Sequence, residues 1–407
     1  MASPHKTPVS SNTPTPRLPL EINSSVSVHP VGEELLLFNA DHQQFSRLNQ
    51  TASIIWTQGS QIDSLDGLVD ELSTVFGVTA DVLRDDVELT LADWQNAGLL
   101  DREPVDIEII DDEAPPAAQS GDPGQTVGTC LPPFRLIDSN YSICCFDKSL
   151  IPLLRPLFAH LPECNDGPVH HLHVGKLDDA YCLIESRQLV GHCVSAEEMV
   201  PIVNAHVMVS AYHDVDCLAV FHAGAVSDGK QVIVLSAASG SGKSTLTAAL
   251  AGSGAHLYSD EIVVLNEQGH VRAAPACIGL KTGAWDVVQN YWPGLGEQPH
   301  YRRQDDKQVK FLAPAPLNPA FDPTAGLPIA AFVFPQYDPS HQSALTKIGP
   351  ADALVQLTDA GYHTNTPLDA QSADRLIRII EAVPCYSLAV NALDEAIETV
   401  GALFGAS

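Results

Sequence analysis

One stretch constrains this chain more than any other: KQVIVLSAASGSGKSTLTAAL, residues 230–250. Val232 to Leu235 form the continuous apolar run of a strand buried on both faces. Ala237-Ala238-Ser239-Gly240-Ser241-Gly242-Lys243-Ser244 follow, and an Ala- and Leu-rich helix comes next. Small residues let successive backbone N–H groups turn inward around an anion, and the helix N-terminus adds its dipole. In that frame Lys243 neutralises the β and γ phosphates of a nucleotide, and the Ser244 hydroxyl ligates magnesium. The expected nucleotide contacts are Ala238, Ser239, Gly240, Ser241, Gly242, Lys243, Ser244 and Thr245, and the expected ligand is ATP or GTP with Mg2+. Ala237 stands where the common pattern has glycine and fits if its φ stays negative. The alternative is a fortuitous glycine-rich turn.

The next apolar stretch, AHLYSDEIVVL, carries Asp260 and Glu261 in its middle. Adjacent acids on a strand point to opposite sides and take different roles. The alternative is a solvated turn between two short strands. His222 precedes the loop in FHAGAVSDGKQVIVL; taken alone, it reads as a structural histidine. Arg302, Arg303, Lys307 and Lys310 form a cationic cluster in HYRRQDDKQVKFL. They either approach the triphosphate, as arginine fingers do, or pair with Asp305 and Asp306 in a solvated loop. His171 and His173 share one strand face in HHLH and read as a surface patch, because no Cys or carboxylate lies at ligand spacing. Trp285 and Trp292 read as core or lid residues.

A chain of 407 residues exceeds one core and implies two or three domains. Residues 1–20, rich in Pro, Ser and Thr, read as a disordered tail. Residues 21–102 read as strands followed by helices: two or three short strands, then helices capped by Asn49, Ser64 and Thr79, the last ending at Gly98. Residues 103–128 are acidic and rich in Pro and Gly, a linker by composition. Residues 129–217 read as an α/β region and 218–407 as strands alternating with helices.

The formal net charge of −29 disfavours nucleic acid and anionic membranes as partners. No run of about 18 apolar residues is present, so no span is expected. Nine cysteines without a CxxC pair read as reduced, in a cytoplasmic protein, with Cys144 and Cys145 as small buried residues.

Two resemblances add to this reading. His222 lies fifteen residues before the loop, Ser239 to Thr245 spell SGSGKST, and Asp260-Glu261 close the following strand. This segment resembles the catalytic domain of the HPr kinase/phosphorylase family, whose fold is HPr kinase-like and phosphoenolpyruvate carboxykinase-like. The resemblance implies that Asp260 is the base toward a hydroxyl, that Glu261 is near the metal with Ser244, and that His222 is near the transferred phosphate. It thus implies Asp260, His222 and Lys243 as the catalytic set and a homo-oligomer as a possible assembly. Ala237 and Glu261 depart from the family pattern, and IGLKTGAWDVV, with Lys281 as its only cation, stands in place of the downstream arginine-containing signature. Neither HPr as acceptor nor phosphorolysis is therefore carried over. The chain is more similar to divergent HPr-kinase-like proteins of peptide-modifying gene clusters.

Residues 25–102 resemble a PqqD-like domain through Leu48-Asn49-Gln50-Thr51-Ala52, Ile55-Trp56 and Gly98-Leu99-Leu100. Such domains are winged-helix-like α+β units that bind leader peptides of ribosomally made natural products, with the peptide added at a sheet edge. The alternative is a small structural or dimerising domain.

Together the readings lead to an expectation of a P-loop kinase acting on a Ser or Thr hydroxyl of a tethered precursor peptide. Two others stay open: a nucleotide-gated peptide scaffold serving a partner modifying enzyme, and a kinase for a small serine-like molecule.

Overall fold

The computed structural model describes residues 18–101, 128–164, 167, 169–238, 240–315, 326–340 and 342–405. Residues 103–127 of the expected linker, Ser239 and the first 17 residues of the expected tail lie outside these. Leu20 belongs to the fold, buried against Gly59. The described chain divides into two compact units, before and after residue 114.

In the first unit, Val26–Val31, Glu34–Asn39 and Gln44–Leu48 form an antiparallel three-stranded sheet in sequence order. Three helices follow: Gln50–Gly59, Leu65–Phe76 and Ala80–Asn96. The Asn49 side chain accepts from the Ala52 amide, and the Ser64 side chain accepts from the Gly67 amide, as N-caps do. Thr79 occupies the third N-cap position with extended backbone, but its side chain makes no capping bond. Gly98, at φ +69°, reverses the chain after the third helix, and the Leu99 amide donates back to Trp94 O. The helical period brings Leu68, Val69, Leu72, Val87, Leu91 and Trp94 into one core, where Trp56 meets Trp94 edge-on at 5.1 Å.

The second unit is a mixed α/β structure. Val232–Ser236 runs parallel to Leu327–Tyr337, which runs parallel to Cys385–Val390. On the other side Val232–Ser236 pairs antiparallel with Ala223–Ser227, which pairs antiparallel with His256–Ser259. The helix Lys243–Gly252 packs on this sheet through Leu246 and Leu250, against Val226, Ile233, Leu235 and Val333. The expected simple alternation of strand and helix after Leu218 is corrected between Leu265 and Leu327. That segment makes His270–Arg272 and a separate antiparallel sheet of Ile278–Lys281, Gln308–Leu312 and His300–Arg302. Short strands with local hairpins lack the long apolar helical period that a crossover needs.

Residues 129–217 contribute a sheet built on Ser139–Cys145, Val169–Leu177, Ala180–Glu185 and Gln188–Cys193, with the helix Ala196–His213. Their core continues without a break into Val220, Ile262, Val264 and Ala274.

The reading of all cysteines as reduced is corrected. Cys130 and Cys144 form a disulfide where Thr129–Cys130 pairs with Ser139–Cys145, the two residues standing directly opposite. Strand pairing brings them together across 14 residues, a separation no CxxC search finds. The argument from reduced thiols to the cytoplasm falls with it. Cys145 is buried, as expected. Among the described residues no helix is long and apolar enough to cross a membrane.

Candidate functional site

The strand Val232–Ser236 is buried throughout and delivers the chain into the loop at its C-terminal end. Ala237 keeps a negative φ, as its fit requires, while Gly240 and Gly242 take φ of +91° and +96°. No atom lies within 4 Å of where a Cβ would stand on either glycine, so that side of the loop is open. The Ser241 amide and hydroxyl both donate to Ala238 O, at 3.2 and 2.6 Å. Gly242 is the N-cap of Lys243–Gly252 and offers no capping side chain. The first-turn amides of that helix therefore face an anion site without side-chain competition.

Glycine at a second position sets the helix against the sheet. A Cβ on Gly224 would stand 2.4 Å from Thr247 Oγ1, and Thr247 Oγ1 itself donates to Lys243 O at 3.0 Å. The missing side chain at 224 thus allows the strand Ala223–Ser227 to approach the helix that carries Lys243.

Lys243 is 7% exposed, and its Nζ donates only a long bond of 3.5 Å to His222 O. Burial lowers its pKa, while Asp260 and Glu261 act in the opposite direction. Asp260 lies in the bend between His256–Ser259 and Val263–Leu265, where Ser259 Oγ accepts from the Ile262 amide at 2.9 Å. The acids therefore occupy a turn between short strands rather than a strand, and of the two only Glu261 meets solvent. Asp260 is 2% exposed, and neither carboxylate oxygen has a partner of hydrogen-bonding geometry. Burial and then Glu261 push its pKa up to about 7, against Lys243, the nearby Ser244 hydroxyl and the Gly279 amide.

Glu261 turns the other way, half-exposed, with Oε2 3.2 Å from His222 Nδ1. The His222 backbone amide donates to Gly361 O at 2.8 Å. Burial and Lys243 hold the His222 imidazole below its ordinary pKa, while Glu261 opposes them. His222, Lys243, Ser244, Asp260 and Glu261 thus converge on the mouth of the loop.

The cationic cluster does not join them. Arg302 pairs with Glu198, and Arg303 and Lys307 both pair with Asp305 at 3.2 and 3.1 Å. Lys310 Nζ is buried, donating to Leu295 O and Gly296 O and lying 4.8 Å from the centre of the Trp285 ring. The paired-loop reading describes Arg303 and Lys307; Arg302 reaches Glu198 instead, and Lys310 is buried in a strand. Trp292 Nε1 donates to Ala248 O at 2.7 Å, buttressing the phosphate-loop helix.

The residues present fit a polyphosphate with a hard cation. An open glycine cradle, an uncapped helix N-terminus and a buried ammonium suit the anion. A buried carboxylate without a partner suits a cation or a hydroxyl proton. Among the described residues no three or more His, Cys, Asp or Glu side chains gather as a metal-ligand set. Magnesium, which takes one or two protein ligands and completes its shell with water and phosphate oxygens, needs none.

Sequence reasoning missed one polar cluster. His170 Nδ1 lies 2.7 Å from Glu185 Oε1, its Nε2 lies 2.8 Å from Asp214 Oδ2, and His206 Nε2 lies 2.8 Å from Glu185 Oε2. His171 and His173 are exposed on one face, as expected. The partners of His170 stand 15 and 44 residues away, so local spacing carried no signal.

Residues 34–100 match the family described as Coenzyme PQQ synthesis protein D (PqqD), and so form a PqqD-like domain. A solved structure titled "TbiB1 in Complex with the TbiA(beta) Leader Peptide" is 19% identical to this chain, covering 21% of it and 100% of that chain, with a TM-score of 0.20. At that score the likeness carries no further weight. No curated protein matches the chain.

Proposed function

We propose that the second unit is an HPr kinase-like phosphotransferase using ATP or GTP, and that the PqqD-like unit holds the precursor peptide whose Ser or Thr hydroxyl is the acceptor. The observation that carries the reading is Asp260: a buried carboxylate whose oxygens meet no donor in full hydrogen-bonding geometry, with the Ser244 hydroxyl and the Gly279 amide only near it and Lys243 beside it, where the glycine loop opens. Burying such a group costs stability unless something that binds there repays it.

The loop amides and Lys243 hold the polyphosphate, so the terminal phosphorus faces Asp260 and His222. Ser244 and Glu261 are the residues that would hold magnesium, which supplies charge neutralisation on the β and γ oxygens when bound. Asp260 accepts the proton of the acceptor hydroxyl as its oxygen bonds to the γ-phosphorus. The bond from that phosphorus to the bridging oxygen breaks, and the nucleoside diphosphate leaves with the electron pair. A base near pKa 7 suits this step at neutral pH. His222, half-exposed and paired with Glu261, holds that carboxylate toward the phosphate side.

The test is incubation of the full chain with γ-labelled ATP, Mg2+ and a Ser- and Thr-containing precursor peptide that the chain binds. Label on a peptide Ser or Thr, lost in Lys243→Met, is the expected result. Hydrolysis without transfer would favour a nucleotide-gated scaffold, and label on free serine a small-molecule kinase.

A further inference from the structure

A cavity of about 440 Å³ lies at the C-terminal end of the helix Lys243–Gly252, lined by Ala251 and Gly252 and, around them, by Tyr291, Trp292, Tyr301 and Phe311. The ten residues of that helix span about 15 Å, so this cavity is separate from the mouth of the glycine loop at the other end. Its volume falls in the range of small-molecule sites.

Most of the polar groups on its walls are already engaged. Trp292 Nε1 donates to Ala248 O at 2.7 Å, the Tyr291 hydroxyl donates to Asp394, and the Cys277 thiol donates to Leu157 O at 3.3 Å. A Cβ on Gly252 would stand 2.6 Å from Trp292 Nε1, so the indole packs against a helix turn that glycine leaves clear. Two polar side chains remain uncommitted. Tyr301 is 3% exposed, and its hydroxyl has no hydrogen-bond partner among the described residues. The side chain of Gln298, which also lines the cavity but is exposed, likewise has none.

None of the lining residues is charged, in a chain of net charge −29. A charged ligand would lose its hydration here without gaining a partner. Aromatic walls suit a flat ring, and the free Tyr301 hydroxyl suits one polar atom upon it.

We propose that this cavity is a second binding site, for an uncharged aromatic small molecule held among Tyr291, Trp292, Tyr301 and Phe311 with one polar group meeting the Tyr301 hydroxyl. It stands independently of the nucleotide-binding reading above.

The test is ligand-observed NMR titration of the full chain with two probes that share a ring system. One is 2-naphthol, uncharged at neutral pH with a single hydroxyl; the other is 2-naphthoate, an anion. Wild type is expected to bind 2-naphthol about tenfold more tightly than 2-naphthoate, the charge being left without a partner. Tyr301→Phe keeps the ring and is expected to weaken 2-naphthol about threefold to tenfold, the worth of one hydrogen bond. Ala313 lines the cavity from an exposed position, so Ala313→Trp fills the space at little cost to the core and is expected to abolish binding. Should that variant fold poorly, Tyr301→Phe decides the matter. Wild-type protein that does not bind 2-naphthol, equal affinity for the two probes, unchanged affinity in Tyr301→Phe, or binding that persists in folded Ala313→Trp would each overturn the proposal.

Discussion

At residue scale the proposed chemistry turns on Asp260, whose raised pKa implies two opposed pH dependences. Its carboxyl is pushed from 3.8 up to about 7 in the fold. An acid with a raised pKa costs stability once the unfolded chain ionises it, so stability falls as pH rises from about 4 to about 7 and stays low above. The displacement corresponds to roughly 4 kcal/mol at about 1.4 kcal/mol per pH unit. Asp260→Asn is therefore expected to stabilise the nucleotide-free protein at pH 8 and to change it little at pH 4, read by urea denaturation at both. A variant equally stable to wild type at pH 8 would contradict the burial argument. For the phosphotransfer proposed above the sign reverses: Asp260 acting as base must be ionised, so kcat/KM for the acceptor is expected to fall as pH drops below about 7. In Asp260→Asn nucleotide binding is expected to persist while transfer falls by roughly 10²–10⁴. Undiminished phosphorylation by that variant would remove Asp260 from the role.

At the scale of elements, Gly224 governs how closely the strand Ala223–Ser227 meets the helix Lys243–Gly252. Gly224→Ala forces a Cβ to 2.4 Å from Thr247 Oγ1. The expected loss is about 1–3 kcal/mol, typical of overpacking. Adding Thr247→Ala should recover much of it, because the two sites share the clash. A double-mutant cycle by chemical denaturation reads this, and additive losses would show that the helix is set elsewhere. A second element-level device is the charged cluster joining Val169–Leu177, Ala180–Glu185 and the end of Ala196–His213. Both His170 ring nitrogens face carboxylate oxygens, so the geometry is satisfied by the imidazolium, which donates from both. Glu185 and Asp214 hold the His170 pKa above its ordinary value despite burial, which acts to lower it. The two histidines hold Glu185 below its usual range against the same opposition from burial. The histidine's contribution is complete below its unfolded pKa and is lost as pH rises through the raised one. The carboxylate's contribution is lost as pH falls through the lowered one. Thermal melts from pH 5 to 8.5 should show wild type losing more stability toward high pH than His170→Gln; parallel curves would mean that the cluster is not proton-linked.

Across the whole molecule, what the sequence made legible was whatever is encoded by near neighbours. The buried strand, glycine loop and helix of 232–252 follow from apolar runs, glycine and a lysine within about twenty residues. The three helices of the first unit follow from a 3.6-residue period and caps at Asn49 and Ser64. Asp260 was legible as an acid in the right place, yet its burial was not, because the groups that face it, Lys243, Ser244 and the Gly279 amide, stand on other elements. The Cys130–Cys144 bond, the His170 cluster and the pairing of Arg302 with Glu198 all join residues through strand pairing or packing over 14 to 104 positions, which no local pattern encodes. Charge is the global quantity that the sequence does state, and it is unevenly shared. Residues 18–101 hold fourteen acidic and two basic side chains, against twenty-nine and sixteen in residues 128–407. Both arginines of residues 18–101 are already paired, Arg47 with Glu34 and Arg84 with Asp66. A peptide held by this unit therefore meets a field of nearly uncompensated carboxylates, which favours a basic bound segment and speeds its encounter. Anisotropy titration of the full chain with the labelled precursor peptide should show affinity falling severalfold between 50 and 300 mM NaCl, since screening shortens that field to less than about 10 Å. Binding that is unchanged by salt, or that strengthens with it, would mean that the unit reads its peptide through apolar and backbone contacts and that its acidity serves solubility alone.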